Sequence, residues 1–343
     1  MFHSCHGAVL PRTTRAVRRC AVALGMTAVA AAAAPGNPVY VREWGSEGTG
    51  AGQLEGPRGI AVDPSGMLFV ADSRNNRVVK FDSTGALLGS WGTLGTGPGQ
   101  FSYPTDVEAD HSGHIFVVDA DNHRLQKFTT QGQYLLEWDG TQDAPFIRIF
   151  AVGVGPDDTI YVSDNFDGSI QHYNNDGAFL GRWGTTGAGP GQFTAALGIT
   201  VDHDGNVFVS DVSTNYVQKF SSTGELQARW GGKGSAPGSF KTAFGITITP
   251  NGDVLVVDHH NFRVQRFTNG GTWLSMWGQK GSGPYEFASS HGMACDARGQ
   301  IYILDFQGTL ACCYIQKYVD ATVGIRAASW SDLKRVYRPS SMR

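Results

Sequence analysis

An all-β fold, a ring of six four-stranded antiparallel blades, is what this sequence predicts, and three observations predict it. Six tryptophans recur at Trp44, Trp91, Trp138, Trp183, Trp230 and Trp277, with gaps of 47, 47, 45, 47 and 47 residues. A period in the forties marks a solenoid or radial array, because one such unit is a small sheet that cannot bury its own faces. Each period holds four short apolar runs divided by Gly and Asp, and none shows a 3.6-residue apolar stripe. Four-stranded sheets set around a central channel make a β-propeller.

Within a unit the elements follow in a fixed order. After Trp-Gly comes a glycine-rich connector ending on an apolar residue, as in Gly95-Thr96-Gly97-Pro98-Gly99-Gln100-Phe101. A first strand such as Gly59-Ile60-Ala61-Val62-Asp63 is apolar and small, which suits the crowded innermost position. A Gly turn leads to a second strand, such as Phe69-Val70-Ala71-Asp72 or Phe116-Val117-Val118-Asp119. The third, such as Arg77-Val78-Val79-Lys80-Phe81, carries more cations, as expected nearer solvent. A second Gly turn precedes the fourth strand, which ends in the next Trp.

The two ends of the array complement one another. The sixth unit has no clear fourth strand, whereas Val39-Tyr40-Val41-Arg42-Glu43-Trp44-Gly45 is a fourth strand without its first three. The N-terminal strand is therefore expected to complete the last blade, leaving no long open edge. A competing closure would use the tail around Trp330.

The order Gly-Ile-x-Val-Asp, Phe-Val-x-Asp and Asn-x-Arg-Val between Gly59 and Val78 resembles the NHL-repeat family of six-bladed propellers. The resemblance covers about residues 39–320. It implies the fold strongly and the activity weakly, since that family includes RNA-binding, protein-binding and lyase members.

Composition bounds the rest. Residues 1–34 read as a leader, 35–320 as the propeller and 321–343 as a C-terminal tail. No Asp or Glu occurs in residues 1–42, and Arg12, Arg15, Arg18 and Arg19 precede an Ala-rich apolar run from Cys20 to Ala34. That pattern predicts a signal peptide and export, periplasmic or secreted, with a mitochondrial presequence as the alternative. Losing the leader takes the charge from 27 − 30 = −3 to 23 − 30 = −7, which does not favour phosphate-rich partners. Three cysteines remain: Cys295 at a first-strand core position, and the adjacent Cys312 and Cys313 in an insertion of the last blade. They are too few for a disulfide framework.

The recurrent Asp72, Asp119, Asp164, Asp211, Asp258 and Asp305 occur once per blade, so they read as turn-closing acceptors, not as a ring of ligands. Arg77, Arg124 and Arg263, five residues on, are placed to pair with three of them. Gly-x-Gly connectors such as Gly187-Ala188-Gly189 precede strands and not helices, so they are linkers and not phosphate loops.

Chemistry should sit where the repeat breaks. The starts of the first strands and the loops after the second strands share the channel-mouth face. There the varied positions include Arg58, Arg74, Asp106, His123, Arg148, Phe166, His259, His260 and His291, a polar and aromatic ring suited to a protein, peptide or small ligand. The third unit departs most, in its connector from Asp139 to Arg148 and in Asp167-Gly168-Ser169.

The leading expectation is a monomeric, non-catalytic binding or scaffold module with no required cofactor. The resemblance also implies a peptidyl-hydroxyglycine amidating-lyase type, whose zinc is held by His residues at several first strands. Here only His291 matches, so that site is degenerate, and His259-His260 lie on another loop where adjacent side chains diverge. Asp106 and His291 are the residues left for a divalent cation, Zn or Ca, in the channel. A second alternative, RNA binding, would use Arg58, Arg74, Arg148 and Lys241 with Tyr103, Phe150 and Phe244, against the acidic charge.

Overall fold

The computed structural model describes residues 37–307 and 312–323. Six four-stranded antiparallel sheets stand in a ring. The first is Ile60–Val62, Leu68–Asp72, Arg77–Phe81 and Leu87–Trp91, ordered from channel to rim. The next four blades begin with Pro104–Ala109, Ile149–Val154, Ala196–Val201 and Ala243–Ile248. In the sixth sheet Ser290–Cys295, Gln300–Gln307 and Cys312–Val319 are followed at the rim by Val39–Trp44. Val39 lies opposite Val319 and Trp44 opposite Ile315, with one irregularity at Tyr40/Arg42. Each first strand touches the first strands of both neighbours, the sixth against the first included. Three single-turn 3-10 segments are the helical structure among the described residues.

The tryptophan period has a packing cause. Trp91 lies 6.0 Å from Phe69 in its own blade and 5.8 Å from Phe128 in the next. Trp183 and Trp230 repeat this against Phe220 and Phe267. The ring also covers a Gly turn of the following blade. Gly85 has φ +87°, and a Cβ there would stand 2.5 Å from the Trp44 indole, so both its backbone and its space require glycine. Each Trp is thus an inter-blade wedge, and one per blade is what a ring needs.

The turn aspartates act as the one-per-blade pattern suggests. Asp119, fully buried, accepts from Ser102 N, Asn122 Nδ2, Arg124 Nε and Gln126 Nε2. Asp258 takes the same set from Lys241, Asn261, Arg263 and Gln265. Blade three lacks the Arg, and Asp164 instead accepts three backbone N–H groups, from Ile147, Arg148 and Phe166. The linkers fold on a Gln or Glu, as where Gln192 Oε1 accepts from Gly189 N at 3.0 Å. Gly-x-Gly therefore binds its own side chain.

Blades are also stitched on the opposite rim. Lys80 Nζ donates to Thr130 O of the next blade, Lys127 to Asn175 O, and Lys317 of the sixth blade to Ser83 O of the first. Arg266 is buried between Asp253 and Asp320 and also bonds Thr322, so the first residues of the tail rest on blade five. The leader, residues 1–34, and most of the tail lie outside the described residues, as does the 308–311 insertion. Cys312 and Cys313 begin the third strand of blade six, opposite Gln307 and Phe306. Cys295 is a part-buried free thiol, and burial raises its pKa, which disfavours the nucleophilic thiolate.

The third unit is rebuilt locally. Its connector pairs Gly140–Thr141 antiparallel with Ala144–Pro145. The other connectors make parallel bridges, such as Glu47 with Leu54 and Leu94 with Phe101.

Candidate functional site at the channel mouth

Where the first strands begin, side chains from five blades meet in a continuous arc. Arg58 sits with its guanidinium carbon 5.4 Å from the Tyr103 ring centre and 5.5 Å from that of Phe150, and its Nε donates to Tyr103 Oη at 3.0 Å. Phe150 meets Phe244 at 6.3 Å, and Phe244 meets His291 edge-on at 4.7 Å. His291 in turn stacks on His259, with ring centres 5.0 Å apart and planes 21° from parallel. His260 abuts His259 at 4.4 Å and its Nδ1 bonds Thr242 Oγ1 at 2.7 Å.

Local structure fixes each member. Tyr103 adopts a left-handed φ of 55° and its N–H is held by Asn76 Oδ1 of the preceding blade. His259 opens the 3-10 turn after the second strand of blade five, and its Nδ1 lies 2.8 Å from Ser290 O. A carbonyl can only accept, so Nδ1 carries the proton and Nε2 keeps its lone pair. Burial, then the His259 charge, lowers the pKa of His291 to about 3, and burial lowers His259 as well. Both rings are therefore neutral near pH 7.

Phe150, Phe244 and His291 border a cavity of about 40 Å³, whose lining also includes Asp106, Glu108 and Met293. That is room for about one or two waters. Asp106 accepts from Val107 N and, across the blade gap, from Val152 N, both at 3.0 Å. Glu108 accepts from Ala109 N at 3.0 Å. Burial pushes Asp106 up to about 7 against the pull of those two N–H groups, and pushes Glu108 up to about 8. The Asp106 charge adds to the rise at Glu108.

Of the predicted site residues, the structure unites Arg58, His259 and His291, with His260 at the edge and Asp106 beneath. It leaves the rest apart. Arg74 lies over Phe306 at 5.7 Å, and His123, Arg148 and Phe166 are exposed. His259 and His260 lie on another loop than His291, as the sequence reading has them, and their rings meet edge-on at 4.4 Å. Inter-blade packing brings His259 face to face with His291.

His291 and Asp106 are two side chains, short of the three protein ligands of a zinc site. Both Asp106 oxygens already accept backbone N–H groups, and His291 is clasped between Phe244 and His259. Among the described residues no three His, Cys, Asp or Glu side chains are grouped to hold a metal.

Glu108 was missed in the sequence, although a signal existed. Its column otherwise reads Ala61, Gly153, Thr200, Thr247 and Ala294, while the Asp106 column reads Gly59, Ala151, Gly198, Gly245 and Gly292. Blade two alone puts carboxylates where small residues line the ring. Gly59 makes room for this, since a Cβ there would stand 2.4 Å from Asp106 Oδ1.

Three segments, residues 54–81, 101–128 and 244–267, match the family model of the NHL repeat. The chain is an NHL-repeat propeller. No curated protein matches it. Solved structures similar to this NHL propeller include a streptogramin B lyase, 14% identical over 82% of this chain and 97% of the other, with a TM-score of 0.59. Virginiamycin B lyase from Staphylococcus aureus is 16% identical over 76% and 79%, with a TM-score of 0.54. The gluconolactonase XC5397 from Xanthomonas campestris is 13% identical over 76% and 86%, with a TM-score of 0.58. At these identities the likeness shows the fold alone. No helix among the described residues is long and apolar enough to cross a membrane.

Proposed function

We propose that this NHL propeller is a non-catalytic binding module whose channel mouth receives a protein, peptide or small ligand. The observation that carries this is the arc Tyr103–Arg58–Phe150–Phe244–His291–His259, in which five blades place their least repetitive residues in mutual contact. A rigid ring that holds varied side chains at one end is a recognition surface by construction. Export of the protein through its N-terminal leader belongs to the same proposal, and so does its action as a monomer.

A lyase is the second reading, and one observation favours it. His259 has its tautomer set by Ser290 O, which leaves Nε2 as a proton acceptor beside the Arg58 cation. The absence of a fitting metal set around His291 weighs against the amidating-lyase type. RNA binding is disfavoured by the charge balance of the chain, 30 Asp and Glu against 27 Lys and Arg.

The test is retention. A ligand or partner that co-purifies with wild-type protein should be lost from the Arg58→Ala, His291→Ala double variant, with melting temperature monitored as the folding control. Equal retention by both proteins contradicts the assignment of the face. Stoichiometric, tightly held zinc on the wild-type protein would instead support the lyase reading.

A further inference from the structure

Arg58 is the one cation of the arc, and part of its hydrogen-bonding capacity is left over. Its Nε is used on Tyr103 Oη and its guanidinium carbon lies within about 5.5 Å of two ring centres, but among the described residues neither Nη atom makes a hydrogen bond or an ion pair. Asp106, which lines the same cavity, accepts from Val107 N and Val152 N instead. A half-buried guanidinium held by Tyr103, with two Nη groups free, presents the fork that matches a carboxylate.

We infer that the channel mouth binds a single carboxylate carried on an aromatic group, its charge on Arg58 and its ring against Phe150, Phe244 and His291. This rests on the mouth being the binding face and adds the chemical class of what it takes. The charge count limits the ligand to one anion. Arg58 is the sole cation in the arc, the imidazoles beside it are neutral, and Asp106 and Glu108 lie below. A polyanion such as a nucleic acid would meet one positive group and then two carboxyls. The shape limits it too, because a cavity of about 40 Å³ admits water but no ring. The ligand therefore lies on the mouth and does not thread the channel. His259 Nε2, an acceptor by virtue of the Ser290 bond, suits a donor next to the carboxylate, such as a hydroxyl or an amide N–H.

Such a carboxylate has two sources, a small aromatic acid or the free C terminus of a peptide ending in an aromatic residue. Matched pairs separate charge from shape and one source from the other. The first pair is indole-3-acetate and indole-3-acetamide. The second is an acetylated Gly-Gly-Phe peptide with a free C terminus and its C-terminal amide. Each is titrated into the wild-type protein while the imidazole Cε1–H resonances of His259 and His291 are followed by NMR.

At least one acid should move both resonances, with its amide about tenfold weaker or more, the scale of a charge-assisted pair. Which pair responds more strongly names the source. In the Arg58→Gln protein, acid and amide should bind alike. Equal binding of acids and amides to the wild-type protein overturns the carboxylate assignment while leaving the mouth as the binding face. If neither acid nor amide moves the two resonances, both readings fall. The wild-type comparison does not depend on how well the variant folds.

Discussion

Deleting residues 35–45 is expected to abolish cooperative folding and leave aggregated protein. Val39–Trp44 supplies the rim strand of the sixth blade, paired along Cys312–Val319. Without it that strand becomes an open edge with unpaired N–H and C=O groups, a template for pairing between chains. The Trp44 wedge goes too, and with it the cover over Gly85 and the first-blade cluster that includes Leu68 and Phe81. Tyr40, packed on Tyr285 and Tyr318, is lost as well. Trp44→Ala alone should cost about 2–4 kcal/mol, since the indole is only partly buried. Deleting residues 324–343 is the contrasting experiment. If that deletion destroys the cooperative melt and the N-terminal one does not, the ring is sealed by the other end of the chain.

Replacing a turn aspartate is expected to have the largest effect of any single substitution. Asp119→Ala removes four acceptor contacts at once and leaves the Arg124 guanidinium, 8% exposed, without its closest counter-charge. Breaking a buried pair from one side costs about 3–5 kcal/mol, because the surviving charge is stranded. Arg124 keeps Thr96 O, Gly97 O and Gln100 O as acceptors, and Glu137 at the rim, which limits the loss. Asp119→Asn should be milder, since one amide oxygen can still accept from Ser102 N. Thermal or urea unfolding measures both. A loss under about 1 kcal/mol for the alanine variant would mean that the aspartate column does not clamp connector to blade.

The contrast between these features and the mouth explains what could be read in the chain. Trp91 and Gly132 meet equivalent neighbours from blade to blade, and the Asp119 column takes backbone N–H groups from its connector even where, as at Asp164, the Arg is missing, so their roles appear as a period. The mouth is made of exceptions. His259 and His291 are 32 residues apart, on different blades, and their stacking depends on how blade five is rotated against blade six. No spacing rule contains that rotation. Comparing equivalent positions could still have found Glu108, because a lone acid in a column of Ala, Gly and Thr is a local departure. The antiparallel connector at Gly140–Pro145 lay in between: the missing glycines showed that blade three differs, but not how.

The account depends on the mouth being a packed, uncharged imidazole pair beside a single guanidinium, and one titration examines that directly. The Cε1–H resonance of His291 should hold its neutral position from pH 8 to pH 5, because burial and the neighbouring His259 and Arg58 charges lower its pKa to about 3. A His291 midpoint near the ordinary 6.5 would show an open, hydrated ring, and the arc that carries the proposed site would not exist.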